Sequence, residues 1–219
     1  DHDDVWYPDK VQITLERMLA LEKEYSKEKP ILIHTDLEIV DENLNTMAKS
    51  FYSAPLEDLS FSQRLVGNTV VGCTVMINKA LKDTIRYTND ERFLMHDYWT
   101  ALAASAFGIV SYIDQPTIKY RQHGTNAIGY NNKLNVIHRI KYLFKLDEIR
   151  SKFQRDYDHA ALFLEVYRDM LSPEQINILN VFLSLHNVST FERAKLLKQY
   201  HFDYYYGFKT ARISQILFM

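Results

Sequence analysis

The sequence has little of several features that would narrow its class at once. It contains a single cysteine, Cys73, so an internal disulfide is impossible, and the apolar residues around it predict a buried thiol in a reducing compartment. No apolar run approaches the roughly 20 residues that span a bilayer. No charged, apolar and small-residue succession marks a signal peptide. We therefore expect a cytoplasmic protein without a membrane-spanning segment or an export signal.

An excess of charge of one sign is also missing. The chain has 26 lysines and arginines against 28 aspartates and glutamates, which leaves a net charge of −2. It therefore lacks the positive field that attracts nucleic acid, and we expect no nucleic-acid partner. Internal repeats and low-complexity linkers are absent too. What remains is a 219-residue chain with 47% hydrophobic residues, enough for one large core or two modest ones.

The spacing of apolar residues and the positions of residues that end helices and strands predict a mixed α/β part. From about residue 131 it is followed by a helical part. The expected helices of the first part cover 8–25, 59–66, 78–85 and 95–107. The expected strands cover 31–36, 69–77, 109–113 and 117–121, with loop and short helical pieces at 41–57. In the first helix, one apolar face is predicted from Val11, Leu15, Met18 and Leu19.

The helical part is predicted from four further segments, 134–150, 153–171, 173–185 and 191–200. Two of them begin with the pattern of a capping box, Ser172 with Gln175 and Ser189 with Glu192. We expect this part to pack on the first as a helical C-terminal region rather than to form a mobile domain.

The acidic opening is the first candidate for chemistry, because Asp1, Asp3 and Asp4 place three carboxylates within four residues. Like charges this close repel one another unless a cation compensates them, and hard oxygen ligands suit Mg²⁺ or Mn²⁺. An ordinary acidic turn explains the same residues, with Asp4 as the N-cap of the next helix and Pro8 in its first turn. Local sequence alone favours the turn.

Other polar residues follow at the ends of predicted elements. Thr35 and Asp36 close the first predicted strand, which would deliver them to the edge of a sheet. His96 and Asp97 begin a helix, where the helix dipole favours a carboxylate. Arg121 ends the last predicted strand, and His123 follows it. Each also has an ordinary structural explanation. Thr35 and Asp36 would form a turn at a strand end, and Asp97 would be a favourable acid at a helix start. Arg121 would form a surface ion pair, and His123 would be a surface histidine.

Taken together, these motifs match a known order and spacing. The segment Asp1 to Lys10 resembles the DQDDxWxPxK segment of bacterial rhamnosyltransferases, with His2 in place of glutamine. Thr35-Asp36-Leu37, the stretch from Asn68 to Asn78 around Gly72, Met95-His96-Asp97 and Tyr120-Arg121-Gln122-His123 extend the likeness to about residue 130. The chain thus resembles the C-terminal two thirds of an inverting family-2 glycosyltransferase of the GT-A fold.

That resemblance implies an α/β fold: residues 1–130 correspond to the acceptor-side half of a Rossmann-like GT-A catalytic domain, and 131–219 to a helical region. It also implies that the nucleotide-binding N-terminal half of the family is missing, so we expect this piece to be inactive alone. The implied reaction transfers L-rhamnose from dTDP-rhamnose to a growing polysaccharide or a polyprenyl-linked glycan.

The resemblance further assigns roles to individual residues. Asp97 corresponds to the catalytic base that takes the proton of the acceptor hydroxyl. The metal ligands for Mg²⁺ or Mn²⁺ are Asp1, Asp3 and His123, and a strand-end surface histidine explains His123 equally well. The residues implied around donor, diphosphate and acceptor are Asp1, Thr35, Asp36, Asn68, Gly72, His96, Trp99 and Arg121. Core packing is the favoured explanation of Trp99.

Two other functions remain open for the sequence. A non-catalytic helical interaction module would use the acidic cluster only as a turn. A metal-dependent phosphohydrolase or nucleotidyltransferase would use the same carboxylates on a phosphate. In addition, basic residues alternate with apolar ones at 133–145, and 201–209 combines aromatic residues with a basic end. Peripheral contact with the inner face of an anionic membrane would explain both patterns. Core helices with solvated basic faces are the more ordinary explanation.

Overall fold

A computed structural model of the protein describes residues 3–52, 56, 59–122, 146–202 and 216. It is a mixed α/β structure whose described residues form two compact units. The first unit comprises the described residues of Asp1–Asp58, Val70–Ile85 and Ala103–Asn132. The second comprises those of Leu59–Thr69, Arg86–Leu102 and Lys133–Met219. The predicted boundary near residue 131 lies outside the described residues and stays a prediction.

The first unit is built on an open five-stranded sheet. The strands are β1 (Val5–Trp6), β2 (Ile31–Val40), β3 (Thr46–Ala48), β4 (Met76–Ile77) and β5 (Ile109–Arg121). Their order is β1-β5-β2-β3, and β4 also pairs with β2. Only β2 and β5 run parallel among these pairs. Every residue of β2 is buried, as expected of a central strand covered on both faces.

Strand β2 is longer than the sequence predicts, and this changes the position of two candidate residues. It continues to Val40, so Thr35 and Asp36 lie in its middle and not at its end, and the prediction that they reach a sheet edge is wrong. The register between β2 and β5 shifts at Asp36, which pairs with Pro116. Because proline has no N–H to donate, the ladder is interrupted there without ending the strand. The two short strands predicted on either side of Pro116 are likewise a single strand, β5.

The predicted strand 69–77 is also mostly wrong. Only Met76–Ile77 are strand, while Gly72–Thr74 form a single 3-10 turn. That turn is closed by Thr74, whose backbone N–H and hydroxyl both donate to the carbonyl of Val71, at 2.9 and 2.7 Å. An apolar run of this length does not by itself distinguish a strand from a turn stabilised by its own side chain.

Helix α1 (Lys10–Tyr25) confirms the first predicted helix but buries a different face. Lys10, Thr14, Met18 and Leu21 are its buried residues. Met18 and Leu21 pack in one cluster with Ile31 and Ile33 of β2. By contrast, the side chains that were predicted beside Met18 are about half exposed: Val11 52%, Leu15 45% and Leu19 54%. The helix carries two apolar faces, and contact with the sheet selects one of them.

Three further helices precede the gap in the described chain: α2 (Phe61–Arg64), α3 (Lys79–Thr84) and α4 (His96–Phe107). Helix α3 is capped by Asn78, and α4 agrees with the prediction to within a residue. After α4, Gly108 meets the backbone of Pro30. A Cβ at Gly108 would lie 1.9 Å from the Pro30 carbonyl oxygen, so only glycine fits there.

The second unit has an aromatic core between α5 (Leu146–Tyr167) and the first turns of α4. Trp99 is fully buried, with ring centroids 5.2 Å from His159, 5.3 Å from Phe163 and 5.8 Å from Tyr167. The predicted break between helices near residue 151 does not occur, because α5 is continuous through it. The predicted helix 134–150 lies mainly outside the described residues.

Two helices within the described range 146–202, α6 (Pro173–Ser184) and α7 (Thr190–Gln199), confirm their predictions closely. The capping box of Ser172 with Gln175 is formed in both directions, and the Ser189 hydroxyl accepts the N–H of Glu192. Within the described part of the chain, no helix is apolar over a length that would take it through a bilayer.

Candidate functional site

The acidic opening leads into strand β1, which pairs antiparallel with Lys119 and Ile118 of β5. The Asp4 carboxylate accepts the backbone N–H of Arg121 at 3.1 Å. In return, Arg121 Nε donates to the Asp3 carbonyl oxygen at 3.3 Å, and its guanidinium also donates to the carbonyl of Glu42. The segment is thus fastened to the end of β5 by two bonds that involve Arg121, and a third bond joins Arg121 to Glu42.

This arrangement differs from the acidic turn with Asp4 as helix N-cap, which was the alternative that the local sequence favoured. Helix α1 begins at Lys10, after an N-cap position occupied by Asp9, so Asp4 does not cap it and Pro8 is not in its first turn. Asp4 instead belongs to a strand end. The Arg121 guanidinium is engaged with the backbone carbonyls of Asp3 and Glu42.

Cys73 and Lys10 lie near this segment. The Lys10 ammonium is buried, donates to the Cys73 carbonyl at 3.0 Å and lies 5.0 Å from the centre of the Trp6 ring. Burial lowers the pKa of Lys10. Burial and the negative charge of Asp4 raise the pKa of the Cys73 thiol to about 11. Cys73 is therefore protonated near neutral pH and is not a nucleophile there.

The proposed metal ligands are only partly within the described residues. Asp1 and His123 lie outside them, and Asp3 is inside and half-buried. Among the described residues no group of three histidine, cysteine, aspartate or glutamate side chains is arranged to hold an ion. The Asp3 side chain itself offers carboxylate oxygens, which are the ligands that Mg²⁺ and Mn²⁺ prefer. The Mg²⁺ or Mn²⁺ site stays a prediction whose chemistry fits Asp3.

Thr35 and Asp36 are buried polar residues of the sheet interior. The hydroxyls of Thr35 and Thr117 are 2.6 Å apart, across the β2–β5 pair. The Asp36 carboxylate accepts the N–H groups of Leu37 at 2.7 Å and of Phe51 at 3.0 Å. Burial raises the pKa of Asp36, while these bonds and one from Ser50 oppose the increase. Both residues have structural partners at the register shift and in the following loop, and their assignment to a ligand pocket stays a prediction.

Three more predicted residues have structural positions. Gly72 is the first residue of the 3-10 turn in the first unit and does not lie at the end of a strand. Trp99 has no exposed surface, and its indole N–H donates to the carbonyl of Arg86 at 3.1 Å, which agrees with the core explanation and leaves no ring face for a sugar. His96 is exposed on the first turn of α4.

Asp97 is the predicted residue whose surroundings are most unusual for a surface helix. It lies in the first turn of α4 and is only 4% exposed. Its Oδ1 accepts the backbone N–H of Tyr98 at 2.7 Å and the side-chain amide of Asn68 at 3.1 Å. Two donors therefore hold one carboxylate oxygen in a fixed position. The structure brings together two of the residues that the sequence singled out, Asp97 and Asn68.

Asn68 also lines a cavity of about 410 Å³ in the second unit. The walls of this cavity come from the α2 segment, from Met95 and Tyr98 at the start of α4, and from one turn of α5. The Tyr98 hydroxyl is turned inward and donates to the carbonyl of Leu65 at 3.1 Å. A volume of this size is within the range of small-molecule sites.

Sequence reasoning missed the residues that α5 contributes to this cavity, Lys152, Arg155 and Asp156. Asp156 is 5% exposed, and its carboxylate lies 3.1 Å from the Lys152 ammonium. Burial raises the pKa of Asp156 to about 6, although Lys152 opposes this. A signal existed in the sequence: Asp156 stands among Phe153, Tyr157 and Ala160 on the apolar face of the helix, where a carboxylate is rare.

Comparison with known proteins adds no family to these observations. No protein-family model matches the chain, and no curated protein matches it either.

Proposed function

We propose that this chain belongs to a metal-dependent inverting glycosyltransferase and that Asp97 is its catalytic base. The proposal joins the order of motifs in the sequence with one geometric observation. Asp97 is a buried carboxylate, its Oδ1 is held by Asn68, and Asn68 lines a cavity large enough for a sugar. This observation supports the proposal most strongly, because burial and fixed donors are the usual means of preparing a general base.

In the proposed reaction, an acceptor hydroxyl attacks the anomeric carbon of the donor while Asp97 removes its proton. The C–O bond to the nucleotide diphosphate breaks with inversion, and the diphosphate leaves with both electrons of that bond. Asp3, with Asp1 and His123, would hold the ion that stabilises the negative charge of this leaving group. A single base is then sufficient, in contrast to the two carboxylates of a glycosidase.

The substrates follow from the sequence resemblance. The donor is L-rhamnose carried on dTDP, and the acceptor is a growing polysaccharide or a polyprenyl-linked glycan at the inner face of the cell membrane. We keep peripheral membrane contact within this proposal, since residues 133–145 and 203–209, which suggested it, lie outside the described residues. Carboxylates beside a phosphate-binding ion would serve a phosphohydrolase or nucleotidyltransferase equally, so the products must distinguish them.

The decisive experiment measures transfer of radiolabelled rhamnose from dTDP-rhamnose to membrane-bound glycan by the full-length protein. Replacing the base, Asp97→Asn, should lower the rate by about 100-fold or more, because general base catalysis contributes roughly 10²–10⁴-fold. Asp158→Asn is the matched control: it makes the same exchange in α5, at an aspartate that accepts a side-chain bond from Gln154 on the helix surface. The control should keep its rate within about twofold.

The product decides between reaction classes. Formation of dTDP together with labelled glycan supports glycosyl transfer. Release of dTMP or of inorganic phosphate would favour the phosphate chemistries. An Asp97→Asn variant that transfers rhamnose at the unaltered rate would remove Asp97 from the mechanism.

A further inference from the structure

The cavity of the second unit has a feature that base catalysis does not require. Lys152 and Arg155, three positions apart on α5, both line it. Residues three positions apart in an α-helix lie on the same face, so the cationic groups of Lys152 and Arg155 lie on the same side of the cavity. The only acidic residue among the described lining residues is Asp156, so this wall carries an excess of positive charge.

The remaining described walls are uncharged. Gln63, Asn68 and Thr69 supply amide and hydroxyl groups, while Leu59, Val66 and Leu94 supply apolar surface. Amides and hydroxyls bind sugar hydroxyls in either direction, as donor or as acceptor. Apolar side chains cover the C–H face of a pyranose ring. The cavity thus combines a cationic wall with surfaces suited to a ring that bears hydroxyl groups.

We infer that this cavity binds an acceptor sugar that carries an anionic group, with Arg155 and Lys152 holding the anion. Naming the ligand as an acceptor rests on the proposed function, because Asn68 joins the cavity to Asp97. The cationic wall goes beyond that function, since a neutral acceptor would need no such wall. Carboxylate and phosphate substituents share the required chemistry, because a guanidinium fork matches the oxygens of both.

Other titratable groups lie on the helices that form the cavity. On α4, Asp97 is held by Asn68 and Tyr98, and burial keeps the pKa of Tyr98 well above its usual value, so that the phenol is neutral. On α5, burial lowers the pKa of His159 to about 4, so that this ring is neutral near pH 7. Asp156 weakens the cationic wall when it is ionised, and protonation of Asp156 below about pH 6 should strengthen binding of an anion.

The experiment is a titration of the full 219-residue chain, labelled with ¹⁵N, followed through the backbone amide signals of Gly67 and Thr69. Both residues line the cavity. The probes are D-glucuronate, α-D-glucose 1-phosphate, neutral D-glucose and inorganic phosphate. We expect saturable shifts with at least one of the two anionic sugars. Comparison of these two probes distinguishes a carboxylate from a phosphate substituent.

The variants test which side chains hold the anion. Arg155→Gln should raise the dissociation constant of the anionic sugar about tenfold, the usual value of a hydrogen bond to a charged group. Arg168→Gln is the matched control, because Arg168 is exposed just beyond α5 and does not line the cavity. Asp156→Asn should tighten binding of D-glucuronate at pH 7.5 and remove its dependence on pH near 6; glucose 1-phosphate is unsuitable for this comparison, because its phosphate titrates near pH 6 itself.

Several results would overturn the inference: D-glucose binding as tightly as the anionic sugars, inorganic phosphate binding as tightly as the sugar phosphate, or an equal loss with Arg168→Gln. Absence of shifts at Gly67 and Thr69 would overturn it as well. If transfer is lost in Asp97→Asn while no anionic sugar binds, this inference fails and the proposed function stands. If the sugar binds while Asp97→Asn transfers rhamnose normally, the proposed role of Asp97 fails, and the cavity remains a site for an anionic sugar that is not shown to be an acceptor.

Discussion

His159 shows how far burial alone can alter one side chain of this protein. Its ring is 1% exposed and lies 4.6 Å from the Tyr98 ring, centroid to centroid. Its Nδ1 accepts the backbone N–H of Leu94 at 3.3 Å, which ties α5 to the segment before α4. Burial lowers the pKa of His159 to about 4, because the charged imidazolium would lose its hydration. Three positions earlier, burial raises the pKa of Asp156, so both groups favour their neutral forms.

We expect the free energy of unfolding to depend on pH because of His159. A histidine with a lowered pKa in the folded state contributes stability that is present above pH 6.5 and is lost as the pH falls through about 4. Compared with His159→Phe, the natural protein should therefore lose up to about 3 kcal/mol of unfolding free energy between pH 7 and pH 4. Urea denaturation of both proteins at several pH values measures the difference. A difference that stays constant with pH would contradict the assignment.

Asp156 contributes to the pH dependence of stability with the opposite sign, which affects the interpretation of the urea experiment. An acid whose pKa is raised by folding destabilises the protein progressively as the pH rises from about 4 to 6. The slope for the natural protein alone thus contains two opposing contributions. Only the comparison with the variant isolates the histidine.

The helices and strands of this protein end where identifiable local groups end them. Ser172 and Gln175 close the start of α6 in both directions, and Ser60 with Gln63 does the same for α2. Such ends are readable in the sequence because their partners are three residues apart. The middle of an element is less readable. The sequence predicted the helix α1 correctly and its buried face wrongly, because the face depends on the sheet.

The junction between α4 and β5 gives a prediction for one element boundary. Gly108→Ala should destabilise the protein by at least about 1–3 kcal/mol, since the added Cβ would overlap the backbone of Pro30. Its amide also donates to Ala104 at 2.8 Å, so the local backbone has little freedom to move away. Thermal unfolding followed by circular dichroism measures the effect.

An alanine exchange elsewhere in the same helix supplies the comparison. Thr100→Ala removes a side-chain bond to the carbonyl of His96 without adding an atom. We expect a smaller loss of about 1 kcal/mol. Equal stability of Gly108→Ala and the natural protein would show that the junction relaxes to accept a side chain.

The chain as a whole forms two compact units whose segments alternate along the sequence. The acidic opening belongs to the first unit, and Asp97 with its cavity belongs to the second. Each of the two tryptophans of the chain is in a different unit: Trp6 is 58% exposed, while Trp99 is fully buried. Trp6 is therefore a natural reporter of events near Asp3.

Metal removal tests the proposed function on the complete protein. EDTA should abolish rhamnose transfer, and Mn²⁺ or Mg²⁺ should restore it, because the leaving diphosphate requires a cation. Paramagnetic Mn²⁺ should also quench the fluorescence of Trp6. In Asp3→Asn, quenching should need on the order of tenfold more Mn²⁺, since even the outer partners of metal ligands alter affinity about 10- to 100-fold.

Asp9→Asn is the control for that titration, because Asp9 is exposed beside the same segment and makes no side-chain cap of α1. Transfer that continues unchanged in EDTA would exclude a catalytic metal. Equal quenching in the two variants would remove Asp3 from the ion.

Local interactions explain what could be predicted about this protein without coordinates. Helix periods, caps and the Gly108 stop arise between residues a few positions apart, so α1, α3, α4, α6 and α7 were predicted nearly at their observed bounds. The burial of Thr35 and Asp36 and the grouping of Asn68, Asp97 and Asp156 required the folded chain. Those features depend on strand pairing and helix packing between residues distant in sequence, and such long-range contacts leave no fixed spacing to recognise.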